Sequence, residues 1–247
     1  MTQRVIEITS PVFLDPSTLT QIDSFASLFT HRRPLALEIG CGTGDFIAQR
    51  AQQFPEINFI AVDIYNKGCL KTCRRVERFE LDNVRVARVE ARYLLSLFGQ
   101  DEFLSAVYIN CPDPWPKKRH RRRRLVNRRF LTQLAHFLEP DGELYFSTDV
   151  EDYAVEVAMT LEEMPHFINR REAPIAYELE GYPTSRYMRR FKEQNLPIHY
   201  LHRQRNPDII LERSSMPELE LSFRCRHERD SQLRHSTTSE EQSCRDI

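Results

Sequence analysis

No apolar run in these 247 residues approaches the roughly 18 needed to cross a membrane. The opening MTQRVIEITSPVF also lacks the basic-then-apolar pattern of an export signal. Both absences lead us to expect a cytoplasmic protein. The six cysteines, at 41, 69, 73, 111, 225 and 244, form no CxxC pair, so a metal site is not expected and a reduced compartment fits. Cys69 and Cys73, four apart, would share a helix face as small core residues. There is no internal repeat, little net charge (−1) and one tryptophan. What is present, 40% hydrophobic residues with 10% aromatics, is enough for a folded core, in one large α/β domain or a core domain with an appendage.

Against that neutral background, residues 110–130 read NCPDPWPKKRHRRRRLVNRRF. An acid is boxed between two prolines, the tryptophan follows, and nine of the thirteen residues from 117 to 129 are Lys or Arg. A charge excess so local marks the docking place of something anionic. The plainer alternative is a solvated helix face.

Taken in order, residues 1–33 read as a lead-in arm with one or two helical turns near 17–29. The apolar run 35–39 ends in Gly40-Cys41-Gly42-Thr43-Gly44, and helical spacing begins at Asp45. Strand, glycine turn and helix together let a backbone approach a ligand closely. Further strands are expected at 58–62, 84–89, 104–109 and 143–147. Helices are expected at 66–80, around 93–98, after the basic run through Leu138, at 150–163 and over 184–195. Pro140-Asp141-Gly142 reads as a turn, 173–179 as a candidate strand, and 209–212 or 219–223 as a closing strand. We therefore expect a domain spanning 34–223, and a disordered polar tail over 224–247.

Strands alternating with helices predict a doubly wound, mostly parallel α/β sheet of Rossmann-like type, which binds ligands at the carboxyl ends of its strands. Those ends carry Gly40, Gly42, Gly44, Asp63, Glu90 with Ala91, Asn110, Asp113 and Asp149. A dinucleotide loop would place its third glycine at 45, where this chain has Asp, and Glu38 precedes the loop. A carboxylate there suits a cation better than a pyrophosphate. S-adenosyl-L-methionine, with a sulfonium and an amino group, fits: Asp63 would accept the ribose hydroxyls and Glu90 the adenine amino group.

The segments LEIGCGTG, NVRVARVEA and PDPWPKKRH with RRL close behind resemble those of bacterial tRNA (guanine-N7)-methyltransferases. The likeness runs from about 35 to 153 and again from 182 to 201. It implies a class I methyltransferase fold and methyl transfer to N7 of a guanine in the tRNA variable loop. By position, Glu38, Asp63, Glu90 and Asp113 would face the cofactor, with Asp113 also catalytic. Lys117 and Asp149 would contact substrate, and we extend that surface to Arg119, His120, Ser185 and Met188. Lys118, Arg121, Arg122, Arg123 and Arg124 would bind RNA phosphates. Trp115 is expected to anchor its loop. The family carries Thr-x-x-Glu where this chain has Ser185-Arg186-Tyr187-Met188, so an acid is replaced by Met188. Competing readings are an exocyclic-amine methyltransferase, echoed in Asn110-Cys111-Pro112-Asp113-Pro114-Trp115, a catalytically weak tRNA-binding relative, and, more remotely, an NAD dehydrogenase.

Overall fold

The computed structural model describes residues 6–98, 104–212, 214 and 216–218. Eight strands form one sheet: β1 (Phe13–Leu14), β2 (Leu35–Ile39), β3 (Asn58–Asp63), β4 (Val84–Arg88), β5 (Leu104–Asn110), β6 (Leu138–Thr148), β7 (Phe167–Ile168) and β8 (His199–Arg205). Their spatial order is β1-β4-β3-β2-β5-β6-β8-β7, and β8 runs antiparallel to both β6 and β7 while the other pairs are parallel. The helices are α1 (Asp45–Gln53), α2 (Asn66–Arg78), α3 (Ala91–Leu97), α4 (Arg128–Phe137), α5 (Glu151–Glu162) and α6 (Arg186–Glu193). The expected doubly wound α/β architecture is present.

Strand alternation sends side chains to two cores. Leu35, Leu37, Ile39, Ile60, Val62, Val107 and Ile109 face the layer containing α3, α4 and α5. Ala36, Phe59, Ala61, Ala106 and Tyr108 face α1 and α2, where Phe46, Ile47, Cys69, Cys73 and Val76 pack. Both thiols of α2 are fully buried, as their shared helix face implied. β2, buried over its whole length, sits where the connections change direction, between β3 and β5. That is the switch point at which such sheets bind ligands.

Several expectations differ from the structure. The arm has its expected helical turns, as 3-10 turns at Leu19–Gln21 and Phe25–Leu28, but it also contributes β1 and the buried Leu19 and Phe25. Residues 140–142 form no free turn: β6 runs through them, with Asp141 left-handed (φ 66) where the pairing with β5 shifts register. The 173–179 stretch makes one bridge, Ala176 with Tyr200, rather than a strand. The segment 209–212 is not a strand, and β8 and β7 complete the sheet instead. The closing strand considered at 219–223 and the tail at 224–247 lie outside the described residues. Among the described residues no helix is long and apolar enough to cross a membrane.

Candidate cofactor and substrate site

The loop after β2 turns tightly because three of its residues are left-handed glycines, Gly40 (φ 82), Gly42 (φ 56) and Gly44 (φ 75). A Cβ on Gly40 or Gly42 would meet nothing within 4 Å, so these two face open space. The other side is closed. A Cβ on Gly44 would lie 2.8 Å from Thr72, and one on Gly68 of α2 would lie 2.4 Å from the Gly42 carbonyl oxygen. α2 therefore clamps the loop from behind, and Thr72 donates to the same carbonyl at 3.3 Å.

Asp63, at the end of β3, stiffens the loop: Oδ2 accepts from the Gly42 N–H and Oδ1 from the Tyr65 N–H, both at 2.8 Å. Burial raises its carboxyl, its backbone donors lower it, and the charge of Asp113 raises it further, so Asp113 acts on the same space. Glu90 caps α3, accepting from the N–H groups of Arg92 (3.0 Å) and Tyr93 (3.3 Å) and pairing with the Arg92 guanidinium at 3.1 Å. Burial raises its carboxyl and Arg92 opposes that. Ala91 opens α3 and is buried. Any adenine contact of Glu90 would share oxygens already holding the helix start.

Glu38 and Asn110 stand on adjacent strands and are buried. Asn110 Oδ1 accepts from the Ser147 hydroxyl and the Tyr182 phenol, both at 2.9 Å. That fixes the amide and leaves its Nδ2 on the Glu38 side, where it favours the carboxylate, but neither Nδ2 nor Glu38 Oε2 completes a well-formed hydrogen bond. Burial pushes the Glu38 carboxyl up to about 8. Asn110 offsets part of this, and the charges of Asp63 and Asp45 add to it. A buried acceptor and a buried donor left unpaired beside a glycine loop with open space are what a polar, cationic ligand would satisfy. The residues fit the amino-acid end of S-adenosyl-L-methionine.

The chain leaves β5 through residues 111–116 in a strained path. Cys111 (φ 47) and Trp115 (φ 43) are left-handed without being glycine, and they flank Pro112-Asp113-Pro114. Asp113 is exposed between them. Asp149 lies close to Cys111: burial, then the Asp149 charge, push that thiol up to about 12. Trp115 packs against His120, edge-on at 5.9 Å, and lies 5.0 Å from the Arg123 guanidinium, so its ring contacts the following basic turn. Lys117 begins and Lys118–Arg123 form a 3-10 turn, in which Lys117, Lys118, Arg119, Arg122 and Arg123 are exposed.

Two assignments need correction. Arg124 does not lie on the RNA surface. It is 1% exposed, with Nε donating to the Pro114 carbonyl (2.8 Å), its other nitrogens paired with Asp152 (2.6 Å) and Glu156 (2.5 Å), and its guanidinium over Tyr153. Arg121 shares Asp152 and is half-buried, so α5 neutralises part of the basic run. Met188 does not contact substrate. It is 0% exposed, packed with Ile198, Tyr200 and Cys111. Its sulfur accepts from the Ser185 N–H (3.4 Å) while the Ser185 hydroxyl accepts from the Met188 N–H (3.2 Å), so this pair caps α6 beneath the Asp113 loop. The sequence pattern also gave no prominence to Gly68, Thr72, Ser147 and Tyr182. Of these, only Gly68 carried a signal, because a glycine inside a helix costs stability unless something needs the room.

A family model described as "Putative methyltransferase" matches residues 32–201. A tRNA (guanine-N(7)-)-methyltransferase of Syntrophotalea carbinolica is 54% identical over 91% of this chain and 97% of that relative. Another, of Geobacter metallireducens, is 50% identical over 81% of this chain and 95% of the relative. Among solved structures, the 16S rRNA methyltransferase KamB superposes with a TM-score of 0.55 at 15% identity, covering 83% of this chain and 97% of that one, a likeness of fold. With the glycine loop at the switch point and the Pro-Asp-Pro-Trp segment in place, the chain belongs to the bacterial tRNA (guanine-N7)-methyltransferase family.

Proposed function

We propose that the strand-end pocket holds S-adenosyl-L-methionine and that the Asp113 loop presents a guanine of the tRNA variable loop for methylation at N7. The observation that carries this reading is the buried Glu38–Asn110 pair, whose Oε2 and Nδ2 complete no well-formed hydrogen bond, beside open glycine backbone. When bound, the cofactor supplies an electrophilic methyl group on a sulfonium. Glu38 would hold its amino group and the Asn110 amide its carboxylate, each completing a group that the fold leaves unpaired.

Guanine N7 has a lone pair and no proton, so no residue has to act as a base. What the chain must supply is alignment and a field. Asp113, kept rigid by two prolines and two left-handed neighbours, would accept from guanine N1–H and the exocyclic amino group. Its charge, with that of Asp63, favours the positive charge that develops on the purine. Lys117, Arg119 and His120 follow directly on the loop, and Asp149 stands behind it, so substrate phosphates and base would be met from one segment. An exocyclic-amine acceptor would instead need a proton taken away.

The test is methylation of unmodified tRNA with a labelled methyl donor and identification of the product nucleoside. We expect 7-methylguanosine, and a loss of about 100-fold or more in turnover for Asp113→Asn, as when a preorganised electrostatic group is removed. An N2- or N6-methylated product, or near-normal turnover of the Asn variant, refutes the assignment.

A further inference from the structure

On α2, Lys71, Arg74, Arg75 and Arg78 recur at spacings of three and four and form one face of the helix. The opposite face buries Cys69, Thr72, Cys73 and Val76. Arg186 and Arg189 approach from α6, and the six cations line one cavity of about 490 Å³ against Thr43 and Asp45. Asp45 is the one carboxylate among the described residues of that wall, and its oxygens are committed. Oδ2 accepts from the Thr43 hydroxyl at 2.6 Å and pairs with Arg75 at 3.3 Å, while Oδ1 pairs with Arg189 at 3.1 Å. Among the described residues, no carboxylate pairs with Lys71, Arg74, Arg78 or Arg186. Glu77, on the same helix, is turned away to the Ser10 hydroxyl.

Six like charges gathered round one cavity repel one another, and an anion placed there removes that cost. The stripe runs about 10 Å along α2, which is longer than a single phosphate group. At its end Phe79 is 41% exposed, with the Arg78 guanidinium 5.8 Å from its ring. Cations in file with an exposed aromatic fit a sugar-phosphate chain with an unstacked base better than a compact anion. The placement agrees. α2 joins β3 to β4, whereas the 117–124 segment joins β5 to β6, so the two basic surfaces come from opposite sides of β2.

We propose that this cavity is a second grip on the tRNA, holding its phosphodiester backbone independently of the 117–123 segment. The proposal rests on tRNA being the substrate. Contacts of this kind carry no base sequence and fix orientation. With one grip on each flank of the cofactor loop, the RNA cannot pivot about the Asp113 loop.

The experiment measures binding of unmodified tRNA to the full chain across a salt titration, for the wild type, Arg74→Ala/Arg78→Ala and Arg74→Lys/Arg78→Lys, neither of which disturbs Asp45. We expect the alanine pair to lower the slope of log affinity against log salt by about 2 and to weaken binding by about tenfold at physiological salt, with cofactor affinity unchanged. The lysine pair should keep most of the slope. If the alanine pair binds tRNA with the wild-type slope and affinity while the wild type methylates it, this inference alone is overturned. A lysine pair as impaired as the alanine pair also overturns it, since the loss would not then follow charge. So does an alanine pair that loses affinity for inorganic phosphate but not for tRNA. A wild type that neither binds nor methylates tRNA removes the functional reading and this inference together.

Discussion

Replacing Glu38 by Gln separates the charge of this carboxylate from its shape. Glu38 is 1% exposed and its carboxyl is raised from 4.5 to about 8, chiefly by burial. The folded protein therefore keeps a proton there that the unfolded chain gives up at its ordinary pKa. Stability falls as pH rises from 4.5 toward about 8, and the loss levels off above that. At about 1.4 kcal/mol for each unit between the two values, the loss reaches roughly 4 kcal/mol by pH 8. Gln never ionises, so the variant should match the wild type near pH 5 and melt about 10 °C higher at pH 8 without ligand, taking about 2–4 °C per kcal/mol for a chain of this size. Glu90 is raised in both proteins and cancels, while Asp63 loses the repulsion of the Glu38 charge in the variant, which adds to the same trend. Ligand binding should show the reverse. A cation on Glu38 requires the carboxylate, so below pH 8 binding expels a proton from the wild type and none from the variant. Calorimetry in two buffers of different ionisation enthalpy reads that difference, and the ligand's own amino group titrates alike in both. The variant's affinity should fall by about 2 kcal/mol, the worth of a hydrogen bond to a charged group. A melting difference that does not change with pH, or equal proton release from the two proteins, would refute the reasoning.

Gly68→Ala should destabilise by about 1–3 kcal/mol in urea unfolding and weaken cofactor binding, because the new methyl would lie 2.4 Å from the Gly42 carbonyl. Helix propensity alone predicts a gain of about 1 kcal/mol, so the sign decides the matter. Arg124→Ala should cost about 2 kcal/mol, since the Pro114 carbonyl loses its donor while Asp152 and Glu156, some 42% and 41% exposed, stay screened by water. In steady-state kinetics it should lower kcat through the Asp113 loop more than it raises KM for tRNA, whereas Lys117→Ala should do the opposite. Met188→Glu should lose about 3 kcal/mol by differential scanning calorimetry, and more at pH 8 than at pH 5, because a carboxylate would enter an apolar cluster; Met188→Leu should stay within about 1 kcal/mol.

The parts of the fold that were legible are those whose pattern is periodic and apolar. Residues 35–39, 58–62 and 104–109 are mostly apolar runs, each with a single polar residue (Glu38, Asn58 and Ser105), and the glycine loop follows the first of them. β8 is not legible in this way because its sequence, His-Tyr-Leu-His-Arg-Gln-Arg, has no apolar alternation. Arg203 and Arg205 are nonetheless buried, Arg203 satisfied by Glu162 (3.0 Å), Asn169 (3.1 Å) and the Pro174 carbonyl. Polar partners distant in sequence make such a strand possible, and no local window contains them. The site divides in the same way. Glu38, Asp63, Asn110 and Asp113 declared themselves by lying at strand ends. Arg124 is indistinguishable in sequence from Arg123, and only the position of α5 decides that one is buried and the other exposed. Met188 escapes a sequence assignment for a related reason. The capping geometry that makes its sulfur an acceptor belongs to the helix start, not to the residue type.

The sheet ends on both sides in a strand of two residues, β1 beyond β4 and β7 beyond β8. An open sheet offers its outermost backbone groups to any extended chain that passes, and the length of that ladder sets how firmly a stranger can bind. Here the edge strand is two residues long on each side, so each offers little backbone for edge-to-edge pairing. β4 behind it is five residues long and carries Arg85 and Arg88. The short N-terminal strand thus covers the middle of the β4 edge against pairing with another extended chain.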